Sequence, residues 1–167
     1  MRIKDVRKEQ AMKGQYSSMY PTVEVKRLDP DAPMPQFARD GDAGCDLTTM
    51  DEVEIAPQGT VMVHSGISVA IPRGFEGTLR PRSGMAAKRG VTLANAPSTI
   101  DSNYRGEVLL PLYNMTDETV RVEAGERVCQ LLVKLQPEPN FVEVDEFTDA
   151  TTSRGSAGFG SSGYGRL

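Results

Sequence analysis

Two stretches of this 167-residue sequence combine residue types that could bind or attack a phosphorylated ligand. The first, PRSGMA at 81–86, lies between a strand-like and a short helix-like run. Arg82 supplies positive charge, Ser83 can cap the helix, and the free N–H groups of its first turn can hold a phosphate. Taken alone, an Arg-Ser-Gly turn is more typical of an ordinary helix cap.

The second stretch, LANAPSTIDSNYRGEVLLPLYN at 93–114, is typical of two strands joined by a long turn. Asp101 and Tyr104 fall on that turn. A carboxylate that faces a bound electrophile can orient and deprotonate a water molecule. The alternative interpretation is that Asp101 is only a turn residue, a position that aspartate favours.

The last segment, 151–167, contains five Gly and four Ser, a composition typical of a mobile linker. It also carries Arg154, Phe159, Tyr164 and Arg166, which a pure linker does not need. We predict an arm that orders over a ligand, with glycines that let its backbone approach closely. A disordered tail is the alternative.

Composition narrows the class of protein. The formal net charge of −4 argues against direct nucleic-acid binding, although a small phosphorylated ligand needs only a few local cations. Cys45 and Cys129 are too few for a disulfide framework or a zinc site, and we expect them in the core. No apolar run reaches membrane-spanning length, and the start MRIKDVRKEQ is too charged for a signal peptide, so we expect no membrane partner and a cytoplasmic location.

The elements that must position these residues are short β-type runs separated by Gly and Pro. The clearest are TVEVKRL, TVMVHSGISVAI, GFEGTLRP, GEVLLPLYN, TVRVE, RVCQLLVKL and FVEV. Only GMAAKRG predicts a helix. The pattern indicates an all-β sandwich, barrel or jelly roll whose strand edges oligomerisation would cover.

We predict three parts along the chain. Residues 1–21 form a basic leader, loosely ordered or alternatively a contact arm, with five Lys/Arg against two Asp/Glu in the first twenty positions. Residues 22–150 form the β domain, which ends in an acidic, solvated run at 142–150. Residues 151–167 form the C-terminal arm.

Five segments in order along the chain resemble the motifs of the trimeric dUTPases. They are DAGCDL (42–47), PRSGMA (81–86), NAPSTIDSNYRGE (95–107), GERVCQL (125–131) and RGSAGFGSSG (154–163). Any one is unremarkable, but five in this order are a specific signal. The resemblance implies a jelly-roll-like β-barrel in a homotrimer, with active sites between subunits and a flexible arm over each. It also implies Mg²⁺-assisted hydrolysis of dUTP to dUMP and pyrophosphate, which limits uracil in DNA and supplies dUMP for dTMP synthesis.

The resemblance also implies roles for individual residues. Asp101 would be the general base that activates the attacking water, and Tyr104 would pack on deoxyribose and exclude a 2′-hydroxyl. The uracil edge would be read by Asn95 and the backbone around Thr99, Ile100 and Leu109. The phosphates would be held by Arg82, Ser83, Gly84 and Gln130. The arm would contribute Arg154, Phe159 and Gly160. Asp46 would support the site, at most through water on the metal, because Mg²⁺ prefers phosphate oxygens and few protein ligands.

Two departures from the family pattern stand in the third motif: Ser98 where glycine is common, and Asn103 where aspartate is frequent. Three alternatives remain open at this stage. The chain could be a related dCTP deaminase, a binding module whose arm regulates a protein partner, or a structural β protein without activity. His64, the sole histidine, is expected to be structural or exposed rather than a metal ligand.

Overall fold

The computed structural model describes residues 21–148 and 152–158. Within them the chain forms eleven strands and one helix, α1 (Ser83–Arg89). The strands are β1 (Glu24–Arg27), β2 (Cys45–Thr48), β3 (Val53–Ile55), β4 (Thr60–Val63), β5 (Ile67–Ala70), β6 (Phe75–Pro81), β7 (Val91–Leu93), β8 (Ser98–Ile100), β9 (Leu110–Asn114), β10 (Val120–Val122) and β11 (Arg127–Leu135). The all-β prediction is confirmed, and the helix lies where GMAAKRG predicted it.

The strand pairs in this part of the chain are antiparallel. The largest sheet has the order β2-β11-β6-β8, and the smaller ones are β4-β9-β7, β1-β5 and β10-β3. The register of β6 and β8 places Leu79 opposite Ser98 and Gly77 opposite Ile100. Because β8 lies at the edge of its sheet, one row of its backbone groups has no strand partner among the described residues.

The core is almost entirely aliphatic, as a sequence without tryptophan requires. In β9, the fully buried Leu110 and Leu112 alternate with half-buried neighbours, the period expected of a strand with one face on the core. Asn114 is a buried polar exception. Its Nδ2 donates to the carbonyls of Ile55 at 2.9 Å and Glu118 at 2.7 Å, so this amide is satisfied and fixes the end of β9.

Two strand predictions differ from the structure. The run TVMVHSGISVAI divides into β4 and β5 because Gly66, with φ of +70°, turns the chain between them. The predicted strand FVEV at 141–144 is wrong: these residues have no regular structure, and Phe141 is 90% exposed. Strands β2, β3 and β7 were not identified from the sequence.

The prediction that Ser83 caps the helix is also wrong. Arg82 holds the N-cap position with extended backbone and no side-chain capping bond, and Ser83 is already the first helical residue. The helix ends at Gly90, whose φ of 65° is left-handed and whose N–H donates to the carbonyl of Met85.

The chain divides into two compact units, Met1–Pro137 and Glu138–Leu167. In the second, the described residues form no helix or strand, and 142–148 are exposed, as predicted for the acidic run. Arg154 lies in a local turn, where its Nε donates to the carbonyl of Ala157 at 2.9 Å.

The leader boundary and the arm boundary stay predictions, because residues 1–20 and 149–151 lie outside the described part. Across the described residues, no helix is long and apolar enough to span a membrane.

Candidate active site

An open pocket of about 250 Å³ brings together six of the residues that the sequence assigned to base, sugar and catalysis. They are Asn95, Thr99, Ile100, Asp101, Tyr104 and Leu109. The pocket forms where edge strand β8 leads into the turn that returns to β9. Its size and its mixture of backbone, amide, carboxylate and aromatic groups suit a small polar ring joined to a sugar.

Asp101 is held by the turn that it begins. It follows β8 directly, and its carbonyl accepts the backbone N–H of Tyr104 at 3.0 Å. Arg105 reinforces the same turn by donating from Nη1 to the carbonyls of Ser102 at 2.8 Å and Tyr104 at 2.6 Å. The Asp101 side chain is exposed at the pocket wall, so its carboxylate is accessible to water and to a ligand.

Tyr104 lies over the turn with 42% of its surface exposed. Its hydroxyl donates to the carbonyl of Glu107 at 2.9 Å, which fixes the position of the ring. Gly106 permits this position, because a Cβ there would lie 2.6 Å from Tyr104 Cζ. Glycine at position 106 therefore leaves the space that the Tyr104 ring occupies beside the turn.

Glu107 is a pocket residue whose role the sequence did not reveal. Its carboxylate accepts the backbone N–H of Gly66 at 2.8 Å and pairs with His64 Nδ1 at 2.9 Å. Its carbonyl accepts both the Tyr104 hydroxyl and the N–H of Leu109, the latter at 3.0 Å. Glu107 thus ties the turn to the loop between β4 and β5. The sequence signal was its position in the third motif, but its partners lie about forty residues away.

His64 is exposed, as the sequence predicted, and its partner is Glu107. The hydrogen bond and negative charge of Glu107 raise the pKa of His64 above its ordinary value of 6.5, with a smaller contribution from Asp51. Protonation of His64 therefore strengthens its interaction with Glu107, which connects the β4–β5 loop to the turn.

This pair predicts a pH-dependent contribution to stability. The folded-state pKa is raised, so the stabilisation is fully present below 6.5 and is lost as pH rises through the higher folded value. At about pH 6 the melting temperature of the wild type should be about 1–2 °C above that of His64→Gln. At about pH 8 the two melting temperatures should be equal. Thermal melts between about pH 6 and pH 8 test this, and Glu107→Gln should flatten the same profile. A constant difference across that range would assign the effect to packing instead.

A second group of predicted residues surrounds Asp46. This carboxylate is buried, and it accepts from Arg82 Nε at 3.1 Å, Gln130 Nε2 at 3.3 Å and Arg127 Nη1 at 3.0 Å. Arg82 Nη1 also donates to the carbonyl of Arg127 at 3.0 Å. Two guanidinium groups against one carboxylate leave a net positive charge, which suits a phosphate ligand.

Arg127 was not assigned from the sequence, although it lies in the fourth motif beside Gln130. Its side chain is 54% exposed and Arg82 is 29% exposed, so both retain N–H groups for a ligand. Ser83 and Gly84 follow at the exposed start of α1, where a Cβ at position 84 would meet nothing within 4 Å.

The structure does not join the two groups of residues into one site within a single chain. Within residues 21–148, no hydrogen bond or ion pair connects the group around Asp46 with the six residues in the pocket, and the pocket includes none of Asp46, Arg82 and Gln130. Arg154 belongs to the second unit of the chain. Phe159 and Gly160 lie outside the described residues.

Neither cysteine supplies a nucleophile. Burial, with help from the negative charge of Asp46, raises the pKa of Cys129 to about 12. Burial likewise raises the pKa of Cys45, again with a contribution from Asp46. Both thiols therefore stay protonated at neutral pH, in agreement with their predicted place in or beside the core.

The chain is similar to known proteins over most of its length. The dUTPase family model matches residues 30–163. The deoxyuridine 5'-triphosphate nucleotidohydrolase of Thermobifida fusca is 46% identical over 142 residues, which cover 84% of this chain and 78% of that protein. The enzyme of the same name from Mycolicibacterium gilvum is 44% identical over 149 residues, which cover 87% of this chain and 97% of that protein.

Solved structures show the same architecture. The dUTPase of Staphylococcus bacteriophage 80alpha with dUPNHPP superposes with a TM-score of 0.79 at 29% sequence identity, covering 85% of this chain and 98% of that one. The fold is thus the all-β, jelly-roll-like fold of the dUTPases, a class of nucleotide hydrolases. The chain belongs to the dUTPase family and is a dUTP diphosphatase.

Proposed function

We propose that this chain hydrolyses dUTP to dUMP and pyrophosphate through attack on the α-phosphorus by a water molecule that Asp101 activates. The observation that carries this proposal is that Asp101 and Tyr104 line one pocket with the residues expected to read the base. In the reaction the carboxylate takes a proton from the water, the new P–O bond forms, and pyrophosphate leaves.

The edge position of β8 supports base recognition. An edge strand presents backbone N–H and C=O groups that can pair with the edge of uracil as another strand would. Thr99, Ile100 and Leu109 would make these bonds, and Asn95 would add a side-chain amide. Cytosine would leave polar groups unpaired, and a 5-methyl group would clash with the close backbone.

The phosphates would bind at the group around Asp46. Asp46 orients Arg82, Arg127 and Gln130, while Ser83 and Gly84 would contribute groups at the start of α1. Because hydrolysis at phosphorus depends mainly on positioning and charge neutralisation, such a preorganised cationic surface is the main aid that the protein can give.

Mg²⁺ would accompany the triphosphate. Because Mg²⁺ prefers phosphate oxygens, water and few protein ligands, it would be coordinated mainly by the triphosphate and water. Bound in this way it neutralises charge on the phosphates. Asp46, whose carboxylate already accepts from Arg82, Arg127 and Gln130, would support that cation at most through water.

We propose that a complete site forms between subunits of a homotrimer. Among the described residues of one chain, no hydrogen bond or ion pair joins the nucleoside pocket to the group around Asp46. A single copy would therefore hold the base-binding and phosphate-binding residues apart. The C-terminal arm at 151–167 would then cover the bound nucleotide, with Arg154 on the phosphates, Phe159 over uracil and Gly160 close to the ring. The product dUMP would supply dTMP synthesis in the cytoplasm while dUTP is kept out of DNA.

Pyrophosphate release from dUTP, dCTP, dTTP and UTP, with and without Mg²⁺, tests the proposal. We expect release from dUTP alone and only with Mg²⁺. Release from UTP at a similar rate would contradict the role of Tyr104. Ammonia release from dCTP would establish the deaminase alternative, and no reaction with any substrate would leave a nucleotide-binding protein.

Gly106→Ala tests how Tyr104 selects the sugar. The new Cβ would displace the ring while the rest of the turn is retained, so we expect preference for dUTP over UTP to fall about 10-fold with little change in melting temperature. The ratio of kcat/KM values for the two substrates measures this. Tyr104→Ala should lower the ratio at least as much, whereas full discrimination in Gly106→Ala would separate the ring position from sugar selection.

A further inference from the structure

The side chain of Ser98 makes a contact that the proposed function does not use. Its hydroxyl oxygen lies 2.5 Å from Asn95 Oδ1, within the pocket that both residues line. Ser98 is 7% exposed, whereas Asn95 is exposed. From the sequence, Ser98 was identified only as a departure from the family pattern, in which glycine is common at this position. Glycine has no side chain that could make this bond.

The chemistry of the two groups fixes the direction of the bond. An amide oxygen can only accept, so the Ser98 hydroxyl donates its proton to Asn95 Oδ1. The amide is planar, so its Oδ1 and Nδ2 atoms point in different directions. When Oδ1 is bonded to Ser98, Nδ2 is the atom of Asn95 that can bond to a ligand. Within the described residues, Nδ2 has no hydrogen-bond partner.

A fixed amide donor distinguishes the two pyrimidines. Uracil carries a carbonyl oxygen at position 4, which accepts a hydrogen bond, whereas cytosine carries an amino group there, which donates. An amide that rotated freely could present Nδ2 to uracil or Oδ1 to cytosine and would discriminate poorly. Once a bound base covers the amide, a donor that faces another donor loses a hydrogen bond that each made with water.

We propose that Ser98 is a specificity-determining residue that holds Asn95 in its donor orientation and so favours a 4-oxo over a 4-amino pyrimidine. It acts through Asn95 and does not touch the reacting atoms, so it is a positioning residue. The inference rests on the proposed function, because it takes Asn95 as a reader of the base.

Ser98→Ala is the first test. The hydroxyl is lost but no buried group is orphaned, since the Asn95 amide remains exposed to water. We expect the ratio of kcat/KM for dUTP to that for dCTP to fall about 10-fold, the value of one hydrogen bond. Ser98→Thr keeps a hydroxyl at the same position and should retain most of the ratio. Ser65→Ala, which removes another buried serine hydroxyl outside the pocket lining, should leave the ratio unchanged.

A double-mutant cycle separates positioning from a structural effect. In an Asn95→Ala background, Ser98→Ala should cause no further change in the ratio, because the group that it orients is gone. An equal fall in both backgrounds, or no fall in the single variant, would overturn the inference.

Affinities for dUMP and dCMP, measured by calorimetry for the same variants, keep the inference distinct from the proposed reaction. A wild type that binds dUMP selectively but releases no pyrophosphate would contradict the hydrolysis, while loss of that selectivity in Ser98→Ala would still support the role of Ser98. A wild type that binds neither nucleotide would overturn both.

Discussion

Replacing Asp101 with asparagine should leave a folded protein that binds dUTP but hydrolyses it about 10²–10⁴ times more slowly. Asparagine has nearly the same shape but cannot take a proton from water. The bond that shapes the turn comes from the backbone carbonyl of residue 101 rather than its side chain, so the position of Tyr104 should be retained. Turnover is measured by pyrophosphate release and binding by calorimetry with dUTP.

The matched control is Asp117→Asn, an equivalent change at an exposed turn residue that does not line the pocket. It should have wild-type turnover and affinity. If Asp101→Asn kept more than roughly a tenth of the wild-type rate, the base would have to be another group, since loss of a general base costs at least two orders of magnitude. Lost binding together with lost turnover would point to a structural role for Asp101.

The sequence predicted the longer elements because their patterns are local. The alternation in β9 and the length of β11 identify buried strands without reference to the rest of the chain. The three-residue strands β3 and β7 were missed, whereas the equally short β10 was found within the alternating run TVRVE. The strand character of β3 and β7 is established by their pairing with β10 and β9. FVEV at 141–144 alternates as a strand should, yet within its own unit no described strand pairs with it, so the pattern alone did not produce one.

The site was predicted through motif resemblance, which names residues but not their contacts. Asp46 and Asp101 were both assigned, but the sequence could not show that Asp46 binds two arginines. Arg127 lies 81 residues from Asp46, and Glu107 lies 43 residues from His64, so these pairs exist only after folding. The same holds for Ser98: a departure from the family pattern gained a physical meaning only when its hydroxyl was placed beside Asn95.

Deleting residues 151–167 should leave the β domain folded but lower turnover of dUTP by about 100-fold or more. Among the described residues the buried core runs from Ala32 to Leu131, so we expect the melting temperature to change little. What is lost is the proposed cover over the nucleotide, with its cation for the phosphates and its aromatic ring for the base. Steady-state kinetics and the oligomeric state from light scattering measure the two effects separately.

A full-length chain with Arg154→Ala and Phe159→Ala separates the chemistry of the arm from its length. The Arg154 guanidinium donates only through Nε among the described contacts, to a carbonyl three residues away, so its terminal nitrogens remain for a phosphate. If the arm acts through these side chains, the double variant should lose most of the activity that the deletion loses. If only the deletion is impaired, the arm acts through its glycine-rich backbone and by excluding water. If the deletion variant kept wild-type turnover, residues 151–167 would have no role in catalysis. The catalytic residues would then be those of the pocket around Asp101 and the group around Asp46 alone.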